Sequence, residues 1–272
     1  HIMLDGADVR FRHPLIRSAI YQFAGASNRR EAHRALAWAL DAEQVVDRRT
    51  WHLAAAAEQP DESVALALEQ TAVRSMARSG YAASAKAFTG SARLTPEHPD
   101  RGRRLFAAAN AFYLAGRHDE ALHCLDDAIA CGPGRRAHFE IQHLRAVIEM
   151  WVRKPMAAYE LLMAEAERAL SDDPLAAAEL LAEAVGPCVM AGQLQQALST
   201  AQRAYALAQQ TSGGPSLLVG VMLAAAMINC GESVGATHFL DESLAKFRAA
   251  GPESAMSGPL LLASLIDVER YD

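Results

Sequence analysis

The sequence predicts an all-α protein built from helical hairpins, and three observations carry this prediction. The long stretches between glycine and proline residues are rich in Ala, Leu, Glu, Arg and Gln, which favour helix, whereas aromatic residues make up only 6% of the chain. A pattern of small residues recurs at intervals close to the length of a helical hairpin. With 51% hydrophobic residues, the 272-residue chain also has enough apolar side chains for a sizeable core.

The N-terminal segment lacks the recurring pattern. Val9 and Phe11 alternate with polar residues and predict an edge strand, after which His13 and a proline begin an amphipathic helix. A strand that leads through a proline into a helix suits the closing part of a winged helix. We therefore expect a winged-helix-like remnant with connecting helices over residues 4–58, preceded by a purification-tag remnant at residues 1–3.

Beyond this segment, small residues recur four times with a step of five and then seven positions. The four sets are Gly80/Ala85/Ala92, Gly116/Ala121/Ala128, Gly192/Ala197/Ala204 and Gly231/Ala236/Ser243. A glycine that ends the first helix of a hairpin takes a left-handed conformation without steric cost, and alanines let the second helix pack closely. A fifth, degenerate unit fits around Ala158, where Arg153, Lys154 and Pro155 replace the glycine.

This combination of two helices, a glycine turn and a small-residue contact resembles the tetratricopeptide-type repeat. The resemblance implies a right-handed superhelix of helical hairpins over residues 59–272, with a concave surface that binds ligands. The last residues, LLLASLIDVERYD, have the pattern of a helix without a following cap or partner. We therefore expect the repeats to be truncated at the C-terminus.

In this register, polar, basic and aromatic positions of the first helices would face the concave groove. The candidate groove residues are Gln70, Arg74, Arg78, Arg103, Phe106, Asn110 and Tyr113. Such a surface suits a protein partner or a small effector. The alternative is that neighbouring helices cover the apolar positions of the groove.

Three N-terminal segments carry a more specific resemblance. FRHPLIRSAIY, RREAHRALAWAL and RRTWHLAAAAEQPDESVALALEQTAVRSMARSGYAASAKAF occur in this order, and the resemblance that they carry covers about residues 9 to 130. Together they resemble the segment that follows the ATPase module in large multidomain LuxR-type transcriptional regulators of actinobacteria. The resemblance implies a parent chain with an ATPase or cyclase-type module before this segment, a helical sensor arm, and a C-terminal helix-turn-helix that binds DNA.

The same resemblance gives His13 a possible role in the parent protein. In related signalling ATPases, a histidine of the winged helix senses the bound diphosphate, and His13 is the matching position. The alternative is that His13 caps the helix that follows it. The chain itself lacks a GxxxxGK[ST] loop, so ATP or ADP would bind only to another module of the parent, and we expect no cofactor here.

Neither an enzyme nor a metal site is predicted. His118 and His123 flank an acidic segment in a way that is superficially similar to the HExxH zinc motif, but their separation of five residues turns them to different helix faces. The chain shows no paired acids, Ser/His/Asp set or Cys/His pair with a catalytic pattern.

Charge and cysteine content limit the partners and the compartment. The formal net charge is −6 and the basic residues are dispersed, so we expect DNA contact only through a domain absent from this chain. The four cysteines form no CxxC pair, and the sequence shows no signal peptide or long apolar span. These features predict a cytoplasmic protein without membrane contact.

The combined prediction is the sensor or interaction arm of a LuxR-type transcriptional regulator. A partner or effector bound at the concave surface would change how the arm packs on the nucleotide module, and with it the state of a possible homo-oligomer. The alternative is a free-standing tetratricopeptide-like scaffold that docks peptides or partner proteins.

Overall fold

The computed structural model describes residues 2–5, 8–11, 13–40 and 46–250. These residues form thirteen α-helices, one π-helical turn and a two-stranded sheet, so the prediction of a helical protein is confirmed. The chain folds as two compact units, residues 1–134 and residues 135–272. The helix predicted at the extreme C-terminus lies outside the described residues.

The first unit begins with a short antiparallel β-hairpin. Strand β1 (Ile2–Asp5) pairs with β2 (Asp8–Phe11), which covers the segment in which a strand was predicted. Seven helices follow, namely α1 (Pro14–Phe23), α2 (Ala26–Ala39), α3 (Val46–Ala56), α4 (Glu62–Ala77), α5 (Tyr81–Leu94), α6 (His98–Leu114) and α7 (His118–Ala130). From α2 onward, each helix packs against the next one along the chain.

The second unit contains six helices and the π-helical turn. In chain order these are α8 (Arg135–Ile148), the π-helical turn (Glu149–Arg153), α9 (Pro155–Ala169), α10 (Pro174–Met190), α11 (Leu194–Gln209), α12 (Leu217–Asn229) and α13 (Ser233–Ala250). Besides its neighbours along the chain, α10 also packs against α12. Within the described parts of both units, no helix is at once long and apolar enough to cross a membrane.

Each recurring set of small residues falls on one helical hairpin. The four hairpins are α4/α5, α6/α7, α10/α11 and α12/α13. Gly116, Gly192 and Gly231 occupy the last three turns with φ angles of 71°, 72° and 84°, a left-handed conformation that suits glycine. The small contact residues of the second helices, from Ala85 to Ser243, are all buried. The repeat prediction is therefore confirmed at the level of the hairpins.

The first of these turns differs in detail from the prediction. Ser79, with a φ angle of 56°, takes the left-handed conformation, whereas Gly80 has a φ angle of −80° and precedes α5. A Cβ added to Gly80 would lie 3.1 Å from the backbone oxygen of Ser75. Glycine is thus favoured at this position by the close approach of the backbone, and not by its φ angle.

The degenerate hairpin, α8/α9, closes without a glycine. The last turn of α8 widens into the π-helical turn, and the backbone N–H of Lys154 donates to the carbonyl of Glu149 at 3.0 Å. Lys154 is extended, and Pro155 begins α9 at a position where a missing N–H costs nothing. Ala158, the predicted anchor of this unit, is fully buried.

The start of α4 depends on Asp61, and this dependence can be tested. The carboxylate of Asp61 accepts from the backbone N–H groups of Ser63 at 2.9 Å and Val64 at 3.2 Å. Hydrogen bonds from the Ser63 hydroxyl and these backbone groups hold the pKa of Asp61 below its ordinary value. Asp61→Ala should lower the free energy of unfolding in urea by about 1 kcal/mol, whereas Asp61→Asn should retain most of it. Equal losses in the two variants would contradict the capping role.

Candidate functional site

Helix α4 has one buried face and one open face. The buried residues face α3 and α5 and are Val64, Ala65, Leu68, Thr71 and Ala72. On the opposite side, Leu66 is 49% exposed and Val73 is 56% exposed, with Gln70 between them. Spacings of three and four residues align these side chains along the helix. We call Leu66, Gln70 and Val73 the α4 face.

An open depression of about 340 Å³ follows the α4 face. Its lining residues are Leu66, Glu69, Gln70, Val73 and Arg74. Leu66 and Val73 offer apolar contact, while the amide of Gln70 can both donate and accept hydrogen bonds. This combination suits an apolar side chain together with the backbone of a bound peptide.

A buried arginine fixes α6 beside this face. Arg104 is 1% exposed and donates to the carboxylate of Glu62 at 2.6 and 3.0 Å and to Glu69 at 2.8 Å. It also donates to the hydroxyl of Thr95. The hydrogen bonds to Glu62 raise the pKa of Arg104 further above its ordinary value. A buried guanidinium is thereby satisfied by side chains of the preceding hairpin.

Arg103, a predicted groove residue, belongs to the same ion-pair network. Its guanidinium is 53% exposed and donates to both carboxylate oxygens of Glu69, at 2.5 and 3.0 Å. Hydrogen bonds from Arg103, and then from Arg104, hold the pKa of Glu69 below its ordinary value, although burial opposes this shift. Glu62 and Asp100, whose carboxylate lies 3.5 Å from Arg103, also belong to the network, which therefore contains two cations and three anions. It forms a border with one excess negative charge between the α4 face and α6.

Arg74 and Arg78 lie at the opposite border, next to α3. Arg74 donates to Asp47 at 2.6 Å, and the guanidinium of Arg78 is 3.5 Å from the same carboxylate. Burial raises the pKa of Asp47, but hydrogen bonds from Arg74 and Thr71 outweigh this and leave it below its ordinary value. Two cations on one carboxylate leave one positive charge at this border.

The remaining candidate groove residues lie on α6. Phe106, Asn110 and Tyr113 are half-buried, and the Asn110 amide donates to the backbone carbonyl of Phe106 at 3.4 Å. The ring of Tyr113 lies 5.8 Å from the ring of His118 at the start of α7. Gln70 is thus the predicted groove residue at the centre of the α4 face, whereas the predicted arginines line its two borders.

His13 is positioned as the cap of α1. Its Nδ1 accepts a hydrogen bond from the backbone N–H of Leu15 at 3.2 Å. The capping interpretation is therefore confirmed, and a role in sensing a nucleotide stays a prediction. Over the residues that the structure describes, no three His, Cys, Asp or Glu side chains lie close enough together to hold a metal ion.

Known proteins supply no family assignment for this chain. A scan against models of protein families finds no match. A search of the curated proteins finds none either.

A second set of exposed apolar side chains lies on α1 and α2. The set contains Leu15, Ile20, Phe23, Leu36 and Trp38. Phe23 is 91% exposed and Trp38 is 85% exposed, which is unusual for side chains of this size. Large apolar side chains that face solvent on neighbouring helices are typical of surfaces that contact other proteins or domains.

Proposed function

We propose that this chain is the interaction arm of a LuxR-type transcriptional regulator and that its α4 face binds a segment of a protein partner. The observation that carries the binding role is the exposure of Leu66 and Val73 beside Gln70 on a helix fixed on both sides. Fixed borders matter because a rigid site loses little conformational entropy when it binds.

The chemistry of the α4 face favours a peptide with an apolar residue at its centre. Leu66 and Val73 would contact that residue, and Gln70 would hydrogen-bond the peptide backbone. The border at Asp47 carries one excess positive charge from Arg74 and Arg78. An acidic residue at the corresponding end of the peptide would therefore strengthen binding.

The regulator assignment is supported by the three N-terminal motifs and by the exposed side chains of α1 and α2. In a parent protein, a neighbouring module that covers Phe23 and Trp38 would remove their apolar surface from water. A free-standing scaffold has no such module. DNA binding would belong to another domain of the parent, as would any ATP or ADP site.

The binding role is tested by selecting displayed random peptides on the chain and measuring the Kd of the enriched peptides by fluorescence anisotropy. Val73→Asp should raise the Kd by about tenfold or more, because a carboxylate in an apolar contact must lose its hydration. Val234→Asp is the matched control, since Val234 is the same residue type and is more exposed than Val73, but lies on α13. Enriched peptides that bind Val73→Asp as tightly as the unmodified chain would refute the α4 face as their site.

The regulator assignment has a separate test. The protein encoded by the complete reading frame should protect a promoter segment in a DNase I footprint, whereas the present chain alone should protect none. A complete protein that protects no DNA, tested over the promoters of its own genome, would favour the scaffold alternative instead.

A further inference from the structure

Three side chains form a continuous hydrogen-bonded chain across the first three helices. The Oη of Tyr21 on α1 lies 2.9 Å from the Nε2 of His33 on α2. The Nδ1 of His33 lies 2.8 Å from the Nδ1 of His52 on α3. The rings are also in contact, with centroids 5.7 Å apart for Tyr21 and His33 and 5.0 Å apart for the two histidines.

The short distance between the two Nδ1 atoms limits how many protons can be added to the neutral histidine pair. A hydrogen bond between two nitrogens needs one donor and one acceptor. In the neutral pair, one Nδ1 carries the proton and the other accepts the hydrogen bond, and the Tyr21 hydroxyl is the donor or the acceptor at His33 Nε2 according to the tautomer. One added proton is tolerated because His52 still has an acceptor nitrogen if His33 becomes charged. A second proton puts two N–H groups and two positive charges face to face.

The surroundings of the pair oppose the second proton. Burial is the largest cause that lowers the pKa of His52, followed by the charges of His33 and Arg48. The guanidinium of Arg29 lies over the Tyr21 ring at 5.6 Å. Other charged groups on the surrounding helices have partners elsewhere, namely Glu58 with Arg30 and Arg34, Asp47 with Arg74 and Arg78, and Arg93 with the carbonyl of Ala54.

The attachment of α1 depends strongly on Tyr21. The hydroxyl and ring of Tyr21 contact His33 on α2, and Arg29 of α2 lies over the Tyr21 ring and donates to the Tyr21 backbone carbonyl. The apolar residues Leu15 and Phe23 face solvent and add little to the attachment. Protonation of the histidine pair therefore acts directly on the contact that holds α1.

We propose that Tyr21, His33 and His52 form a proton-operated latch that holds α1 on α2 and α3. The latch is closed while the histidine pair is neutral or has bound one added proton, and it releases α1 when the pair binds a second added proton. Because the folded state disfavours charged His52, the latch contributes its full stability above the ordinary histidine pKa. That contribution is lost as the pH falls through the lowered pKa of His52. The latch goes beyond the proposed binding role of the α4 face and does not depend on it.

The test is amide hydrogen exchange of α1 at about pH 7.5 and about pH 5, corrected for the intrinsic pH dependence of exchange. In the unmodified chain, α1 should lose about tenfold or more of its protection at the lower pH, because the second proton opens the contact that holds it. His52→Gln keeps a polar side chain that stays uncharged, so its α1 protection should not change with pH. His123→Gln, which replaces an exposed histidine of α7, should behave like the unmodified chain.

An internal control lies in the second unit. A hydrogen bond from the His143 ring on α8 to the Glu183 carboxylate raises the pKa of His143, so this pair gains protons on folding and is not weakened by acid in the same range. Protection of α8 should therefore persist at the lower pH. Loss of protection in α1 and α8 together would indicate general unfolding and would refute the latch, as would an α1 that responds to pH in His52→Gln.

A second measurement is needed if α1 of His52→Gln is unprotected from amide exchange at every pH. Carbon–proton NMR spectra of the imidazole rings in the unmodified chain report the titration of each histidine. The latch requires coupled curves for His33 and His52, with the second proton binding below the ordinary histidine pKa. Two independent titrations at the ordinary value would overturn the proposal.

Discussion

Replacing Arg104 with Met should destabilise the first unit by about 3 kcal/mol, at the lower end of the range for breaking a buried ion pair. The substitution leaves Glu62, Glu69 and the Thr95 hydroxyl without the guanidinium that satisfies them. Arg103 still pairs with Glu69, and Glu62 is partly exposed, so the loss stays below the maximum for such a pair.

The measurement is urea unfolding followed by tryptophan fluorescence in a Trp151→Phe background, so that Trp38 and Trp51 report on the first unit alone. Arg103→Met is the matched control, because it removes the adjacent arginine of the same network from an exposed position. It should cost at most about 1 kcal/mol. If the two variants lose the same stability, burial of Arg104 is not what makes it important.

Gly220→Ala should destabilise the second unit, although alanine is the better helix former. An added Cβ would lie 2.6 Å from the Oγ of Ser243, where α12 crosses α13. Overpacking a buried contact costs about 1–3 kcal/mol. The alanine gains up to about 1 kcal/mol in helix propensity, so we expect a net loss in thermal unfolding followed by circular dichroism.

The companion substitution Ser243→Ala separates the two effects. It removes the Oγ and leaves the Cβ, which would be 3.9 Å from the added methyl group, an ordinary contact distance. In that background, Gly220→Ala should become neutral or stabilising by up to about 1 kcal/mol. If Gly220→Ala destabilises equally in both backgrounds, the clash with Ser243 is not its cause.

The hairpins could be predicted because their signals are local. Gly116, Gly192 and Gly231 end helices through a backbone conformation that depends on neighbouring residues alone. The turn at Ser79 and Gly80 could not be predicted in detail. Glycine is favoured there because the Ser75 carbonyl lies close to it, and the sequence pattern does not show that approach. The π-helical turn was missed for a similar reason, since nothing in the sequence pattern distinguishes a widened turn from a regular one.

The candidate site could be predicted only in part. Gln70, Arg74 and Arg78 were selected by steps of four residues, and each such step rotates about 40° around a helix. By Arg78 the stripe has turned toward α3, where Asp47 binds both arginines. Leu66 and Val73 were missed because an exposed apolar residue cannot be told from a core residue by spacing. The acidic residues Glu62 and Glu69 on α4 and the adjacent arginines of α6 could have predicted an ion-pair network between these two helices.

The buried charge of Arg104 also affects which hairpins can pack against each other. The chain contains several hairpins of similar length and similar small-residue contacts, so apolar packing alone distinguishes poorly between a correct neighbour and a wrong one. Arg104 on α6 has its acidic partners on α4, at positions 62 and 69. A hairpin without acidic residues at these two positions would leave the buried guanidinium of Arg104 without an ion-pair partner. We therefore expect an assembly with another hairpin at this joint to be less stable than the native one.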